Sequence, residues 1–255
     1  MVFFWALGTG PWELGPDLMN PSPVHYIPIL TTLFSIGFAV VIFGRYRERG
    51  GRHLLWWGLG MLTFAAGTIT ESLTTLLGWH EPVFRAWYIT GALLGGAPLA
   101  QGTVYLLLSR RTADRLTMAL LSAVGFGTVC VILSPVNHAL VEPFRLSGKV
   151  LEWHWVRLIS PFINLYALIF LMGGAIVSAG RYARQRETRH RALANVFIAV
   201  GALLPGIGGT FTRLGHVEVL YVTELVGLLC IAVGYRLSVG PALAQPGLAE
   251  RAAAA

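Results

Sequence analysis

Glu71 and Glu224 each lie in a long stretch of sequence that carries almost no other charge. Two carboxyl groups brought together in apolar surroundings repel each other, so such a pair shares a proton or binds a cation. Three arginines, Arg85, Arg157 and Arg213, lie near the ends of neighbouring apolar stretches. Any of them could instead form an ion pair with one of the glutamates that only stabilises the fold. The sequence leaves these two interpretations open.

Further polar side chains lie in the same apolar stretches and would line a site around the two glutamates. Small residues cluster within one of these apolar stretches. This pattern indicates either close helix packing or a broken helix beside a cavity. The cluster consists of Gly91, Gly95, Pro98 and Gly102. The predicted ligand-binding residues, in addition to Glu71, Glu224, Arg85 and Arg213, are Tyr88, Tyr221, Gln101 and Asn164.

Several kinds of site have no matching pattern. All seven histidines map to loops or to predicted helix ends, so no pair is placed to bind a b-type haem within the membrane. No zinc-binding spacing, phosphate-binding loop or nucleophile elbow occurs. We therefore predict no catalytic residue and no metal ligand, and the sequence favours a protein that is not an enzyme.

The stretches that carry these residues are typical of a membrane protein. Of the 255 residues, 55% are hydrophobic and only 12% are charged, whereas a soluble domain is about one quarter charged. Because about 20 apolar residues span a bilayer, we predict an all-α integral membrane protein with seven transmembrane helices. They form a single domain over residues 1–240, and a disordered tail follows at 241–255. Predicted spans 1 to 7 are 24–44, 54–78, 84–108, 116–136, 156–179, 192–212 and 217–237.

The arginines predict the orientation of these spans. Most of them fall in the loops between spans 1 and 2, 3 and 4, and 5 and 6, and such loops face the cytoplasm. We therefore predict an outside N-terminus and a cytoplasmic C-terminus in the cell membrane. Glu71 and Glu224 would both lie about 10 Å below the outer surface. The basic loops indicate membrane lipids as partners, and no nucleic acid.

An internal repeat is predicted from paired sequence similarities. Gly44-Arg45-Tyr46 ends span 1 and Gly180-Arg181-Tyr182 ends span 5, while Trp87-Tyr88-Ile89-Thr90 in span 3 matches Leu220-Tyr221-Val222-Thr223 in span 7. Spans 1–3 and 5–7 would then be parallel copies joined by span 4. This 3+1+3 architecture resembles SWEET-type sugar transporters, microbial rhodopsins and the seven-helix sensor regions of some histidine kinases. Microbial rhodopsins require a lysine in the last span for retinal, and the only lysine here is Lys149, in a loop.

Two functional interpretations remain. The first is a transporter or sensor that binds a small solute or an ion at an intramembrane site open to the outside. The alternative is a non-catalytic subunit of a larger membrane complex that binds lipid, pigment or quinone. A sensor would need a signalling partner, and a subunit would need other membrane subunits. The identity of the ligand, and of any cofactor other than the disfavoured retinal and haem, stays open.

Overall fold

The computed structural model describes residues 22–183 and 189–243, and this part of the chain is predominantly helical, without a β-strand. Five helical segments are long and apolar enough to cross a membrane. The described helices are α1 (Ile27–Arg49), α2 (Arg52–Leu77), α3 (Glu81–Trp87), α4 (Ala97–Leu107), α5 (Arg110–Leu133), α6 (Ile159–Ala167), α7 (Gly173–Ala183), α8 (Arg189–Leu214) and α9 (Val217–Leu243). Two π-helical segments, Tyr88–Leu94 and Leu168–Met172, connect α3 towards α4 and α6 to α7.

The five long apolar segments match predicted spans 1, 4, 5, 6 and 7. They are Pro23–Arg49, Arg110–Leu133, His154–Ala183, Arg189–Thr212 and Val217–Val239. The chain therefore has the helices of a polytopic membrane protein. Predicted spans 2 and 3 correspond to α2 and to the run from α3 to α4. The first is long but rich in threonine and glycine, and the second is interrupted.

The interruption in span 3 lies at Gly95, where the backbone has a φ of 45° that favours glycine. The π-helical segment Tyr88–Leu94 ends there, and α4 begins after Gly96. Asn164 of α6 donates from Nδ2 to the carbonyl oxygen of Ala92 at 3.1 Å. The side chain of a neighbouring helix thus satisfies backbone that the break leaves open, as a membrane interior requires.

Several helix ends differ from the predicted boundaries, and α1, for example, continues to Arg49 rather than ending near residue 44. Helix α5 begins at Arg110 rather than near residue 116, because Ser109 caps its first turn by accepting from the backbone N–H of Thr112 at 3.4 Å. The arginines assigned to the loop between spans 3 and 4 therefore belong to the first turns of α5. Helix α9 continues to Leu243, beyond the predicted end of span 7. The rest of the predicted tail lies outside the described residues.

The helices follow one another in a ring. Helix α1 packs against α2, α2 against α4, α4 against α6, α7 against α8, α8 against α9, and α9 against α1. Helix α5 packs against α4 and α6 from one side of this ring. A buried apolar cluster joins these three helices. Helices α2 and α9 both adjoin α1, so residues on their inward faces can meet.

A folded loop covers the end of the bundle at which α2 stops and α9 starts. We call residues 134–158 the cap. Its side chains Leu146, Val150, Leu151 and Val156 are at most 1% exposed. They form a cluster with aromatic residues of α3, including Phe84. The predicted loop between spans 4 and 5 is thus a packed layer over one end of the helices.

Helices α8 and α9 approach each other closely at two glycines. A methyl group added at Gly201 would lie 2.5 Å from the carbonyl oxygen of Gly227, whereas one added at Gly209 would meet nothing within 4 Å. We predict that Gly201→Ala lowers the free energy of unfolding by about 1–3 kcal/mol through overpacking. Gly209→Ala, in the same helix, should leave stability unchanged or raise it by about 0.5–1 kcal/mol.

Thermal or denaturant unfolding of both variants in detergent micelles measures the difference. Equal effects of the two substitutions would contradict the close backbone packing of α8 against α9.

Candidate functional site

Glu71 and Glu224 face each other. Glu71 projects from α2 and is 3% exposed, and Glu224 projects from α9 about two helical turns from its start. Their carboxyl groups lie within hydrogen-bonding distance of each other. Each group has one buried oxygen, Oε2, for which the described residues offer no hydrogen-bond donor. The sequence predicted a common depth for these residues, and the structure adds their direct contact.

One donor serves this pair of carboxyl groups. Trp87, the last residue of α3, is 7% exposed and donates from Nε1 to Oε1 of Glu71 at 3.0 Å. The indole reaches this position because α2 and the adjoining π-helical segment come close. A methyl group added at Gly67 would lie 3.3 Å from Cα of Gly91. Sequence similarity singled out Trp87 only as part of the predicted repeat, and the structure places it at the acid pair.

Tyr221 lies one turn before Glu224 on α9 and is 2% exposed. Its phenol is close enough to interact electrostatically with both glutamates. On its other side, the ring meets the imidazole of His25 edge-to-face, with centroids 5.8 Å apart. The hydroxyl of Thr75 on α2 donates to the backbone carbonyl of His25 at 2.9 Å. Tyr221 thus separates the acid pair from a histidine at the end of the bundle.

The cap adds an arginine to this end of the molecule. Arg145 forms an ion pair with Glu142, with Nη1 and Oε2 3.0 Å apart. The same guanidinium adjoins Gly215, immediately before α9, and interacts electrostatically with Tyr221. Its side chain is only 19% exposed. Sequence analysis counted Arg145 among the loop charges, and no local pattern distinguishes it from them.

Arg85 does not pair with either glutamate. Its guanidinium binds Glu81 at 2.6 Å, one turn earlier in α3. It also donates to the carbonyl oxygens of Ile132 and Ser134, each at 3.0 Å, and to that of Val131. Arg85 therefore stabilises the C-terminal end of α5, where arginine complements the helix dipole. The structure therefore gives Arg85 other partners than Glu71 or Glu224, which the sequence had left open as one alternative.

The side chain of Arg213 lies outside the described part of the structure. Tyr88 is 3% exposed and packs its ring against those of Phe84 and Trp87, with centroids 6.2 and 6.1 Å away. A methyl group added at Gly148 of the cap would meet this ring at 2.8 Å. Tyr88 therefore belongs to the contact between the cap and α3, next to the acid pair.

Gln101 lies in a separate polar cluster between α4, α5 and α6. It is completely buried and donates from Nε2 to Oγ1 of Thr117 at 2.8 Å and to the carbonyl oxygen of Ala113 at 3.1 Å. Its Oε1 accepts from the hydroxyl of Tyr166. With its amide fully bonded, Gln101 joins three helices. It is not part of the acid pair, and neither is Asn164, which supports the break in span 3.

The described residues contain no group of three or more His, Cys, Asp or Glu side chains that could hold a metal ion. Among the described residues, the acid pair presents two buried carboxyl oxygens without a partner and one indole N–H donor. This set is suited to holding a proton between the carboxyl groups.

We predict that Trp87→Phe lowers the free energy of unfolding by about 1–3 kcal/mol beyond the loss of ring volume, because Oε1 of Glu71 loses its donor. Trp79→Phe is the matched control, since the buried Nε1 of Trp79 has no partner among the described residues. Unfolding of both variants in mixed micelles measures the difference. A loss in Trp79→Phe as large as in Trp87→Phe would show that the indole–carboxylate bond contributes nothing.

No protein-family model, curated protein or solved structure matches this chain. The function proposed below is therefore argued from the geometry of the chain itself.

Proposed function

We propose that this chain is a seven-span membrane protein that binds and releases a proton between Glu71 and Glu224, as a proton-coupled transporter or as a sensor of outside pH. The observation that carries the proposal is the direct contact of two carboxyl groups, each with a buried oxygen that has no donor among the described residues. In the proposed orientation, with the N-terminus outside and the C-terminus in the cytoplasm, the pair lies in the outer half of the cell membrane.

The seven-span arrangement is supported by the lengths of the two less apolar elements. Helix α2 has 26 residues, which is about 39 Å of helix, more than the roughly 30 Å of a bilayer core. The run from α3 to α4 covers residues 81–107 and is long enough as well. Both elements pack within the ring of helices. Glycines at the break and the polar residues of α2 lower their hydropathy without shortening them.

A single proton resolves the electrostatics of the pair. Two full negative charges about 4 Å apart repel by roughly 4 kcal/mol at the effective dielectric constant of a protein, and burial adds the cost of removing both from water. A proton on one carboxyl group replaces this repulsion with a hydrogen bond to the other. One indole N–H cannot neutralise a second charge.

A metal cation fits the pair less well than a proton. Sodium and calcium ions take several oxygen ligands, and calcium takes six to eight. Only two carboxyl oxygens here lack partners among the described residues.

A purely structural role explains the pair poorly. Apolar side chains of similar size at these positions would pack the bundle at least as stably as two buried carboxyl groups. Ionisable residues within membrane helices mark proton or ion pathways for this reason. A non-catalytic subunit would require neither glutamate, and this weighs against the alternative function.

The pair is closed to solvent in this conformation, because the free oxygens of both glutamates have essentially no accessible surface. Exchange with the outside therefore requires movement of the cap or of the neighbouring Tyr221. Such local openings occur on timescales from microseconds to seconds. A transporter would couple this opening to passage of a solute, and a sensor would transmit it through a signalling partner.

The proposal predicts two kinetic classes of protons. After a rapid upward pH step, exposed carboxyl groups release protons at once, whereas the enclosed pair releases its proton only as the site opens. An indicator dye in a stopped-flow instrument should record a slow phase of about one proton per chain. The double variant Glu71→Gln/Glu224→Gln should lack this phase. Glu218→Gln, which removes an exposed carboxyl group from the same helix, should keep it.

A slow phase that survives in the double variant, or that is missing from the wild type, would contradict the proposal. Arg213→Gln should leave the phase intact, and its loss would show that Arg213 rather than a proton neutralises the pair. Sodium or potassium ions should not displace the proton at constant pH, whereas displacement would identify a cation site.

A further inference from the structure

A groove lies between α1 and α9 at the end of the bundle opposite the acid pair. Its volume is about 520 Å³. Glycine at position 44 opens one wall, since a methyl group added there would meet nothing within 4 Å. The side chains that line the groove are Val41, Arg45, Glu48, Tyr235, Arg236 and Val239.

The two arginines of the groove lie at the same level. Arg45 is about 27 Å along α1 from Ile27, and Arg236 is about 28 Å along α9 from Val217. These lengths are close to the roughly 30 Å thickness of a bilayer core. Both guanidinium groups therefore reach the head-group level of one leaflet, which is the cytoplasmic leaflet in the orientation proposed above.

The positive charge of the groove is not balanced within the described part of the chain. None of the ion pairs among the described residues uses Arg45 or Arg236, and Glu48 supplies one negative charge against two positive ones. The guanidinium of Arg45 lies 6.0 Å from the ring centroid of Tyr235. The hydroxyl of Tyr235 is buried and has no hydrogen-bond partner among the described residues. The groove therefore offers two unpaired cations to an anion.

The apolar part of the groove matches the rest of a lipid molecule. Val41 is 54% exposed on α1 and lies one turn before Arg45, towards the membrane interior. An acyl chain beside Val41 and Val239 would place its head group against the guanidinium groups. A soluble anion would bind the arginines but would make no contact with the apolar side chains of Val41 and Val239.

We propose that this groove binds an anionic phospholipid, with Arg45 and Arg236 on the phosphate and the acyl chains against Val41 and Val239. Guanidinium groups bind phosphate oxygens through paired hydrogen bonds. Basic pockets between transmembrane helices at the cytoplasmic side are suited to such head groups. The site is independent of the acid pair and does not rest on its function.

Native mass spectrometry of the full chain in detergent, titrated with phosphatidylglycerol or phosphatidylcholine, tests the proposal. The wild type should bind phosphatidylglycerol more tightly, and Arg45→Gln/Arg236→Gln should weaken this binding about ten- to thirtyfold, since each cation near the surface contributes. Arg47→Gln/Arg49→Gln removes the same charge from exposed positions of α1 and should change binding less than threefold. Equal losses in the two double variants would show non-specific attraction and overturn the site.

Two further variants test the groove itself. Glu48→Gln removes the opposing charge and should tighten phosphatidylglycerol binding about fivefold. Gly44→Leu fills the groove and should abolish the preference, whereas Gly37→Leu, also unobstructed on α1, should keep it. An unchanged preference in Gly44→Leu would overturn the proposal, as would displacement of the lipid by inorganic phosphate at millimolar concentration.

Discussion

Two carboxyl groups in contact inside a membrane bundle impose a constraint that the surrounding structure has to satisfy. Glu71 and Glu224 come from helices that are not sequential in the ring and meet where both adjoin α1. Their contact needs a donor, which is the indole of Trp87. It needs α2 close to the π-helical segment that follows α3, which glycines at positions 67 and 91 allow. It also needs exclusion of lipid and bulk water, which the packed cap and the ring of Tyr221 provide. The polar and small residues of α2 follow from this constraint.

The two ends of the bundle differ chemically. The end under the cap holds the acid pair, with the charges of Arg85 and Arg145 occupied by local carboxylates and carbonyl groups. The opposite end carries exposed arginines, and the groove between α1 and α9 collects two of them. Some polar contacts at this end lie at its surface, such as the ion pair of Arg52 with Asp114 at 2.6 Å, where both side chains are almost half exposed. A protein that handles a proton near one surface and is held at lipid head groups at the other would have this asymmetry.

The sequence predicted a common depth for the two glutamates but not their contact. Depth follows from counting residues at a fixed rise per residue, whereas contact depends on how each helix is rotated about its axis. That rotation is decided by packing, for example by the hydrogen bond between the hydroxyls of Thr32 and Thr68 at 2.8 Å. The partners of Arg85 could not be predicted for a related reason. Its nearest unsatisfied groups are carbonyl oxygens at the end of α5, which lies far away in sequence.

Of the helix interruptions at Gly95 and at Leu168–Met172, only the first had a signal in the sequence. The glycines around Gly95 suggested either close packing or a break in span 3, and the structure has both, since the break is supported by Asn164. The π-helical segment at Leu168–Met172 has no such signal, because an extra residue in a helical turn is compatible with ordinary apolar side chains. The internal repeat of spans 1–3 and 5–7 stays a prediction.

The central claim is that the acid pair holds one shared proton. Infrared spectroscopy of the protein in deuterated and ordinary water tests it most directly, because a protonated carboxylic acid has a carbonyl stretching band that ionised carboxylates lack. At neutral pH the wild type should show such a band, shifted slowly by deuterium exchange, and Glu71→Gln/Glu224→Gln should lose it while Glu218→Gln keeps it. A wild-type spectrum without a protonated carboxyl band, or a band that survives in the double variant, would contradict the account.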